Sequence, residues 1–263
     1  MSRLIDPKRH AAASPYFLVP PLRTSFRDFA PDDGHAVVAL SWSPSGDRLL
    51  TVTGGAQPQI FTREGKPLLR FVRGDMYVND MVHTHGHVTM CTGGHWHPHE
   101  KMRVLTSSLD GSLRIWDLNG KTGLRDELQC DTVVRVRNAR GLKAEATACA
   151  YAPDGGALYA GTNDGAVHAW GVKRGSAYAR PDASTRATGA GAAARGASIG
   201  SGGFSGGGGG GAGGAGGHGP SAVVTCVLPS PDNRAVASRA DDGSVCVWDV
   251  RKLKGPLVRY DVR

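Results

Sequence analysis

The chain has 263 residues, of which 40% are hydrophobic, and a formal net charge of +8. This length suits one large all-β domain or two smaller domains. No apolar run approaches the roughly 18 residues of a membrane-spanning helix, and residues 1–25 lack the apolar core of a secretory signal. Five widely spaced cysteines without a CxxC pair indicate reduced, mostly buried thiols in an intracellular protein, rather than a metal or redox site.

An internal repeat organises the chain. Four segments align without gaps from a turn proline to a closing aromatic residue, and these two residues lie 17, 18, 17 and 17 positions apart. The prolines are Pro44, Pro98, Pro153 and Pro231, and the aromatic residues are Phe61, Trp116, Trp170 and Trp248. Successive prolines are 54, 55 and then 78 residues apart. The longer third step contains a Gly/Ala/Ser tract over 187–219, which predicts a disordered loop because it has little side chain to bury.

Each repeat predicts a series of short strands. Apolar strands follow the prolines at 49–52, 103–106, 157–160 and 235–238. Tight Asp-Gly turns come next, a strong hairpin signal between apolar runs, at Asp110-Gly111, Asp164-Gly165 and Asp242-Gly243. The strand after each turn alternates apolar and polar residues. No segment keeps a 3.6-residue apolar period, so helices should be scarce.

These repeats resemble the WD-repeat (WD40) family, in which each unit forms one four-stranded blade of a β-propeller. The motif Ser-x-Asp-Gly-x-φ-x-φ-Trp-Asp, where φ is an apolar residue, spans Ser108 to Asp117, and it recurs from Ala240 to Asp249 with Ala in the Ser place. The resemblance implies an all-β, WD40-type β-propeller with about four blades. Rings of this kind usually need more blades, so we predict an incomplete ring, an open arc that is marginal or aggregation-prone alone.

The repeat divides the chain into five segments. Residues 1–25 match nothing and are predicted to be disordered, and 26–170 hold blades one to three. A Gly-rich disordered insert over 171–220 precedes the fourth blade at 221–250, and a basic tail follows at 251–263. The unmatched start and the end soon after a Trp-Asp pair predict a chain cut from a larger ring.

The family resemblance also implies a hydrogen-bonded network inside each blade. It joins a turn Asp, the Trp of the next strand, a Ser or Thr, and the histidine of a Gly-His pair. We assign to it Thr106, Asp110, Trp116, Asp164, Trp170, Ser238, Asp242, Trp248, His35 and His87. The third repeat has Ala160 in the hydroxyl place and the first has Gly55 in the Asp place, so packing should hold these two blades. All of these residues are interpreted as structural.

A narrower resemblance concerns residues 63–117 and 238–251, which are similar to the gastrulation-defective type of WD-repeat protein. The stretches that carry it include Gly74-Asp75-Met76-Tyr77 and Asn79-Asp80-Met81. It implies a nuclear protein linked to chromatin, the response to DNA breaks and splicing, with the cytoplasm as the alternative location.

The sequence Trp248-Asp249-x-Arg251 resembles the WDxR box. Some WD-repeat proteins use this box to dock on the damage-specific DNA-binding adaptor of cullin-4 ubiquitin ligases. Arg251 would be the contact, since its planar five-donor group suits interface pairing. The alternative is an ordinary strand end with a solvated arginine.

Charge suggests a second hypothesis. Segments 172–219 and 251–263 each carry five basic residues against one acidic residue, and the remainder of the chain is balanced. They indicate either a nucleic-acid-associated splicing or chromatin module or simple solubility.

Six histidines lie within 17 residues, at His83, His85, His87, His95, His97 and His99. They are potential zinc ligands, but no Cys or carboxylate completes a tetrahedral pattern, so we favour structural roles and predict no metal site. No Walker loop, nucleophile elbow or dinucleotide fingerprint occurs. We therefore predict a non-catalytic scaffold for protein partners, with no cofactor, no small-molecule substrate and no membrane contact.

Overall fold

The computed structural model describes residues 27–32, 34–78, 84–123, 125–172, 181–185, 217–219 and 221–262, together with the backbone of residues 2–4. These described residues form eighteen strands and no helix. Accordingly, no described helix has the length and apolar character needed to span a membrane. The expectation of an all-β chain with scarce helices is confirmed.

Sixteen of the strands form four antiparallel sheets of four strands each, which we call blades I to IV. Blade I contains β3 (Val37–Trp42), β4 (Arg48–Thr53), β5 (Gln59–Thr62) and β6 (Pro67–Arg70). Blade II contains β7 (Cys91–Trp96), β8 (Arg103–Ser108), β9 (Ser112–Asp117) and β10 (Thr132–Arg135). Blade III contains β11 (Ala146–Tyr151), β12 (Ala157–Thr162), β13 (Val167–Gly171) and β14 (Ala183–Ser184). Blade IV contains β15 (Val224–Pro229), β16 (Ala235–Ala240), β17 (Ser244–Asp249) and β18 (Pro256–Asp261).

The two remaining strands, β1 (Ser2–Leu4) and β2 (Arg27–Phe29), pair with each other. The ring of Phe29 packs on Phe61 of blade I with the centroids 4.7 Å apart. This short sheet therefore lies against the first blade.

The Asp-Gly turns form as the sequence predicts. Gly111, Gly165 and Gly243 have φ values of 72°, 76° and 77°, in the left-handed region that glycine adopts without strain. Each of these glycines joins the second strand of its blade to the third, so the hairpins of blades II, III and IV share one geometry.

The core lies between blades rather than within any one of them. Strand residues alternate between the two faces of a sheet. Along β8, Val104 packs into the core shared by blades I and II, and Leu105 packs into the core shared by blades II and III. A third core, which includes Tyr159 and Val236, joins blades III and IV. The innermost strands β3, β7, β11 and β15 follow one another side by side, and the described arc is unclosed. The predicted open arc of four blades is confirmed.

Two predicted segment boundaries are wrong. Residues 251–263 do not form a separate tail, because β18 pairs with β17 as the outer strand of blade IV. The segment 171–220 is not all insert, since β14 pairs with β13 in blade III and Thr185 is buried there. The disorder predicted for the Gly-rich tract and for the N-terminus falls on residues 186–216 and 5–26, outside the described residues.

Candidate functional site

Blade II contains a complete buried network around His87. Its Nδ1 lies 3.0 Å from a carboxylate oxygen of Asp110, and its Nε2 lies 2.7 Å from the hydroxyl of Thr106. The indole N–H of Trp116 donates to the same hydroxyl at 2.8 Å. Because an indole can only donate, Thr106 accepts from Trp116 and gives its own proton to Nε2 of His87. The proton of the neutral imidazole is then on Nδ1, facing Asp110.

The carboxylate of Asp110 closes the turn between β8 and β9. It also accepts the backbone N–H groups of Val88 at 3.2 Å and Ser112 at 2.9 Å. Burial opposes ionisation of Asp110, but the hydrogen bond from His87 outweighs it and holds the pKa of this carboxyl well below its usual range. Burial likewise lowers the pKa of His87, whose side chain is inaccessible. The group is thus a clamp between the segment before β7 and the β8–β9 turn, with no path for a substrate.

Blade IV contains the equivalent network around His218. Nε2 of His218 lies 2.6 Å from the hydroxyl of Ser238, which accepts the indole N–H of Trp248 at 2.7 Å. Nδ1 lies 2.6 Å from the hydroxyl of Ser244, and Ser244 in turn donates to Asp242. A serine therefore stands between histidine and carboxylate here, where blade II has direct contact. Burial opposes ionisation of Asp242, but hydrogen bonds led by that of Ser244 lower its pKa to about 2.

His218 is absent from the residues predicted by sequence, which placed it in the disordered insert. The signal was nevertheless present, because Gly217-His218 is a Gly-His pair. His218 precedes Ser238 by 20 residues, and His87 precedes Thr106 by 19. Low-complexity surroundings concealed a residue that belongs to the fold.

Blade I lacks the network, and the assignment of His35 to it is wrong. His35 is exposed. Phe61 replaces the tryptophan and has no N–H to donate, and Gly55 stands where the turn carboxylate would be. Blade I is instead held by packing, as the sequence predicts.

Blade III has only fragments of the network. Asp164 accepts the hydroxyl of Thr162. Among the described residues, neither the indole N–H of Trp170 nor either ring nitrogen of His168 has a hydrogen-bond partner, although both side chains are buried. The cause is visible in the register. Ala160, opposite His168, occupies the place of the accepting hydroxyl.

The residues of the WDxR box have different environments. Trp248 is buried inside blade IV and cannot reach a partner, so its prediction as a binding residue is wrong. Asp249 uses one carboxylate oxygen to accept the backbone N–H of Arg251 at 2.9 Å. Arg251 is exposed in the turn after β17, where the backbone N–H of Val250 is bonded to Arg234 at 3.0 Å. The box therefore presents a single side chain on an anchored turn.

The basic residues near the C-terminus divide in the same way. Arg259 on β18 is bonded to Asp261 at 2.9 Å and donates to the backbone oxygen of Gly217 at 2.6 Å, so it stabilises blade IV. Arg251, Lys252 and Lys254 are exposed.

The histidine-rich stretch is dispersed by the fold. His87 and His97 are buried, and His85, His95 and His99 are exposed. His97 uses Nδ1 to accept the backbone N–H of Glu100 at 2.8 Å, which is a turn-stabilising contact. The described residues contain no group of three metal-binding side chains, and His83 lies outside them.

The cysteines are all free thiols. Cys91, Cys149 and Cys246 are buried, and burial raises the pKa of Cys149 to about 12. Cys226 is exposed on β15, in contrast to the mostly buried pattern.

Comparison with known proteins gives a family and a fold. The family model "WD domain, G-beta repeat" matches residues 79–117 and 215–249, which contain the two complete networks. WD repeat-containing protein 70 of Xenopus tropicalis is 30% identical over 89% of this chain and 31% of its own length. The gastrulation defective protein 1 homolog of Drosophila melanogaster is 30% identical over 89% of this chain and 30% of its own length. This chain thus spans about a third of the curated relatives it matches.

A solved structure is similar in fold alone. The β-propeller domain of Cps50 (Swd1) from Myceliophteria thermophila superposes with a TM-score of 0.53 at 16% identity, covering 86% of this chain and 56% of that one. The repeats, the blades and these similarities agree. The chain carries WD40 repeats and belongs to the WD-repeat family.

Proposed function

We propose that this chain is a non-catalytic scaffold for protein partners in the nucleus and that Arg251 docks it on the damage-specific DNA-binding adaptor of cullin-4 ubiquitin ligases. The observation that carries the proposal is the exposed guanidinium of Arg251 on a turn fixed by Asp249. Trp248, bonded to Ser238, anchors the end of the preceding strand. A fixed arginine loses little conformational freedom on binding, which favours affinity.

Position within the repeat supports this role. The residues that correspond to Arg251 are Glu64 in the first repeat, Asn119 in the second and Lys173 in the third. Only the fourth repeat offers the planar, bidentate group that interfaces favour. The nuclear setting and the link to DNA breaks and chromatin rest on the resemblance to the gastrulation-defective type.

Co-purification with the recombinant adaptor tests the proposal. Arg251→Ala should weaken adaptor binding at least tenfold, or about 1.4 kcal/mol, since arginines in interface centres often contribute that much. Lys252→Ala is the matched control, because it removes a neighbouring exposed cation from the same turn. Equal recovery with all three proteins would refute the adaptor contact.

The second candidate is a nucleic-acid-associated splicing or chromatin module. Arg251, Lys252 and Lys254 are exposed together, close in sequence to the end of the fourth repeat, which favours contact with phosphates. RNA or DNA binding should then weaken steeply with salt and fall on deletion of 187–216 combined with alanine at these three residues. Residues 183–185 and 217–219 must be kept, since they belong to blades III and IV. No binding at low salt would reject this candidate.

A further inference from the structure

The innermost strand of each blade has a fixed set of positions that face the following blade. At the I–II boundary, Ser41 is the fifth residue of β3 and accepts the backbone N–H of Trp96 at 3.0 Å. At the II–III boundary, a Cβ built on Gly93, the third residue of β7, would lie 3.5 Å from Sγ of Cys149. At the III–IV boundary, Ala148, the third residue of β11, packs into the shared core. Third and fifth positions therefore point forward along the arc.

In blade IV the same two positions are Cys226 and Leu228, and both are exposed, Leu228 by 63%. The register extends this surface across the whole sheet, because Leu228 pairs with Ala237, Ala237 with Val247, and Val247 with Val258. We call Cys226, Leu228, Ala237, Val247 and Val258 the terminal face. It has the apolar composition of the faces that blades I to III bury.

A repeated hydrogen bond points the same way. The second residue of β7, Thr92, donates to the backbone oxygen of Ala146 at 2.7 Å, across the II–III boundary. The second residue of β11, Thr147, donates to the backbone oxygen of Val224 at 2.6 Å, across the III–IV boundary. Thr225 has the same place on β15, but its hydroxyl donates within its own blade, to Arg239 at 3.2 Å. Blade IV thus carries the donor of another boundary.

The other half of such a boundary is present on blade I. Fourth positions of the innermost strand face the preceding blade, as Cys149 does in blade III. The fourth position of β3 is Leu40, which is 51% exposed, and the sixth is the partly exposed Trp42. We call Leu40 and Trp42 the initial face. One chain therefore carries both complementary halves of an inter-blade contact, at opposite ends of its arc.

We propose that two copies of the chain associate head to tail, the terminal face of each packing on the initial face of the other, to close a ring of eight blades. A heterologous contact forms a closed assembly when its rotation completes a circle, and here two arcs of four blades complete it. Eight blades lie within the usual range for propellers of roughly four to eight. Closure buries both apolar faces and lets Thr225 donate to the backbone oxygen of Val37, the first residue of the partner's β3.

The mass of the full chain in solution tests the proposal, measured by sedimentation at micromolar concentration. Wild type should be a dimer, and Leu228→Asp and Leu40→Asp should each be monomers. Leu142→Asp is the matched control and should stay dimeric, because Leu142 is 62% exposed in the loop after β10, on neither face. A monomeric wild type would overturn the proposal. So would a Leu40→Asp dimer, since terminal faces would then be pairing with each other.

Mixing the two variants separates lost contact from lost folding. Each variant alone has one damaged face in both contacts of the ring, but an equimolar mixture has one intact contact, between the initial face of Leu228→Asp and the terminal face of Leu40→Asp. The mixture should regain dimers, and a mixture that stays monomeric would refute head-to-tail pairing. In addition, Leu40→Cys should form a disulfide-linked dimer through Cys226 with oxidised glutathione, since Gly93 and Cys149 are neighbours at the equivalent positions. Leu142→Cys should not.

Discussion

Blades II and IV differ from blades I and III in how they satisfy buried polar groups. In blades II and IV, His87 and His218 join a hydroxyl, a tryptophan and a turn carboxylate. In blade III, His168 and Trp170 are equally buried and have no hydrogen-bond partner among the described residues. All four blades nevertheless have the same four-stranded order. Apolar packing between blades is therefore sufficient to build a blade, and the network adds a tie between its turn and the segment before it.

The physical reason is the modest net value of a hydrogen bond against the large cost of leaving one unmade. A typical intramolecular hydrogen bond contributes only about 1 kcal/mol, because water competes for the same groups. An unsatisfied buried donor costs about 1–3 kcal/mol. Blade III carries that cost at Trp170 and offsets it through the cores that it shares with blades II and IV. Removing a member of the network should thus be worse than never having it.

The largest expected effect comes from the carboxylates of the β-turns. Asp110→Ala should lower the free energy of unfolding by about 3 kcal/mol, because it leaves His87, Val88 and Ser112 without their buried acceptor. The same change in blade III, Asp164→Ala, should cost less than about 1 kcal/mol, since the only hydrogen bond described for that carboxylate is from Thr162. Urea unfolding followed by tryptophan fluorescence measures both. Equal losses would show that the two turns do not differ as their contacts indicate.

The sequence was sufficient for the blades because the repeat is carried by local chemistry. Each Asp-Gly turn and each alternating strand predicts its own structure, and Ala160 alone was enough to predict that blade III lacks the hydroxyl. The errors arise where a residue is fixed by distant contacts. His218 is held by Ser238 and Ser244 despite its glycine-rich surroundings, whereas His35 follows a glycine but has no acceptor or donor to meet. Trp248 belongs to a binding motif by sequence, yet the fold buries it.

The next effect concerns pH and should also differ between blades. Burial lowers the pKa of His87, His168 and His218 below the ordinary value of 6.5. The unfolded chain then takes up protons below about pH 6.5 while the folded chain does not, so stability is full above that pH and falls as the pH drops. Between pH 7 and 5.5 the loss should be about 1 kcal/mol for each histidine.

His168 sharpens this comparison, since it has no carboxylate in hydrogen-bond contact. His168→Leu should make the dependence of unfolding free energy on pH shallower over this range, with the change traced to blade III. Denaturation curves at several pH values measure it. An unchanged slope in His168→Leu would mean that the buried imidazole of blade III does take up a proton in the folded protein.

The smallest effect is a gain, obtained by giving blade III the hydroxyl it lacks. Ala160 precedes Trp170 by the ten residues that separate Thr106 from Trp116 and Ser238 from Trp248. Ala160→Ser should accept the indole N–H of Trp170 and donate to a ring nitrogen of His168, raising the free energy of unfolding by at most about 1 kcal/mol. The gain should vanish in a Trp170→Phe background, because the indole donor is then missing. Thermal unfolding of the single and double variants tests this, and a gain that persists without Trp170 would have to come from the hydroxyl's other contacts, so the shared geometry of the blades would not be its cause.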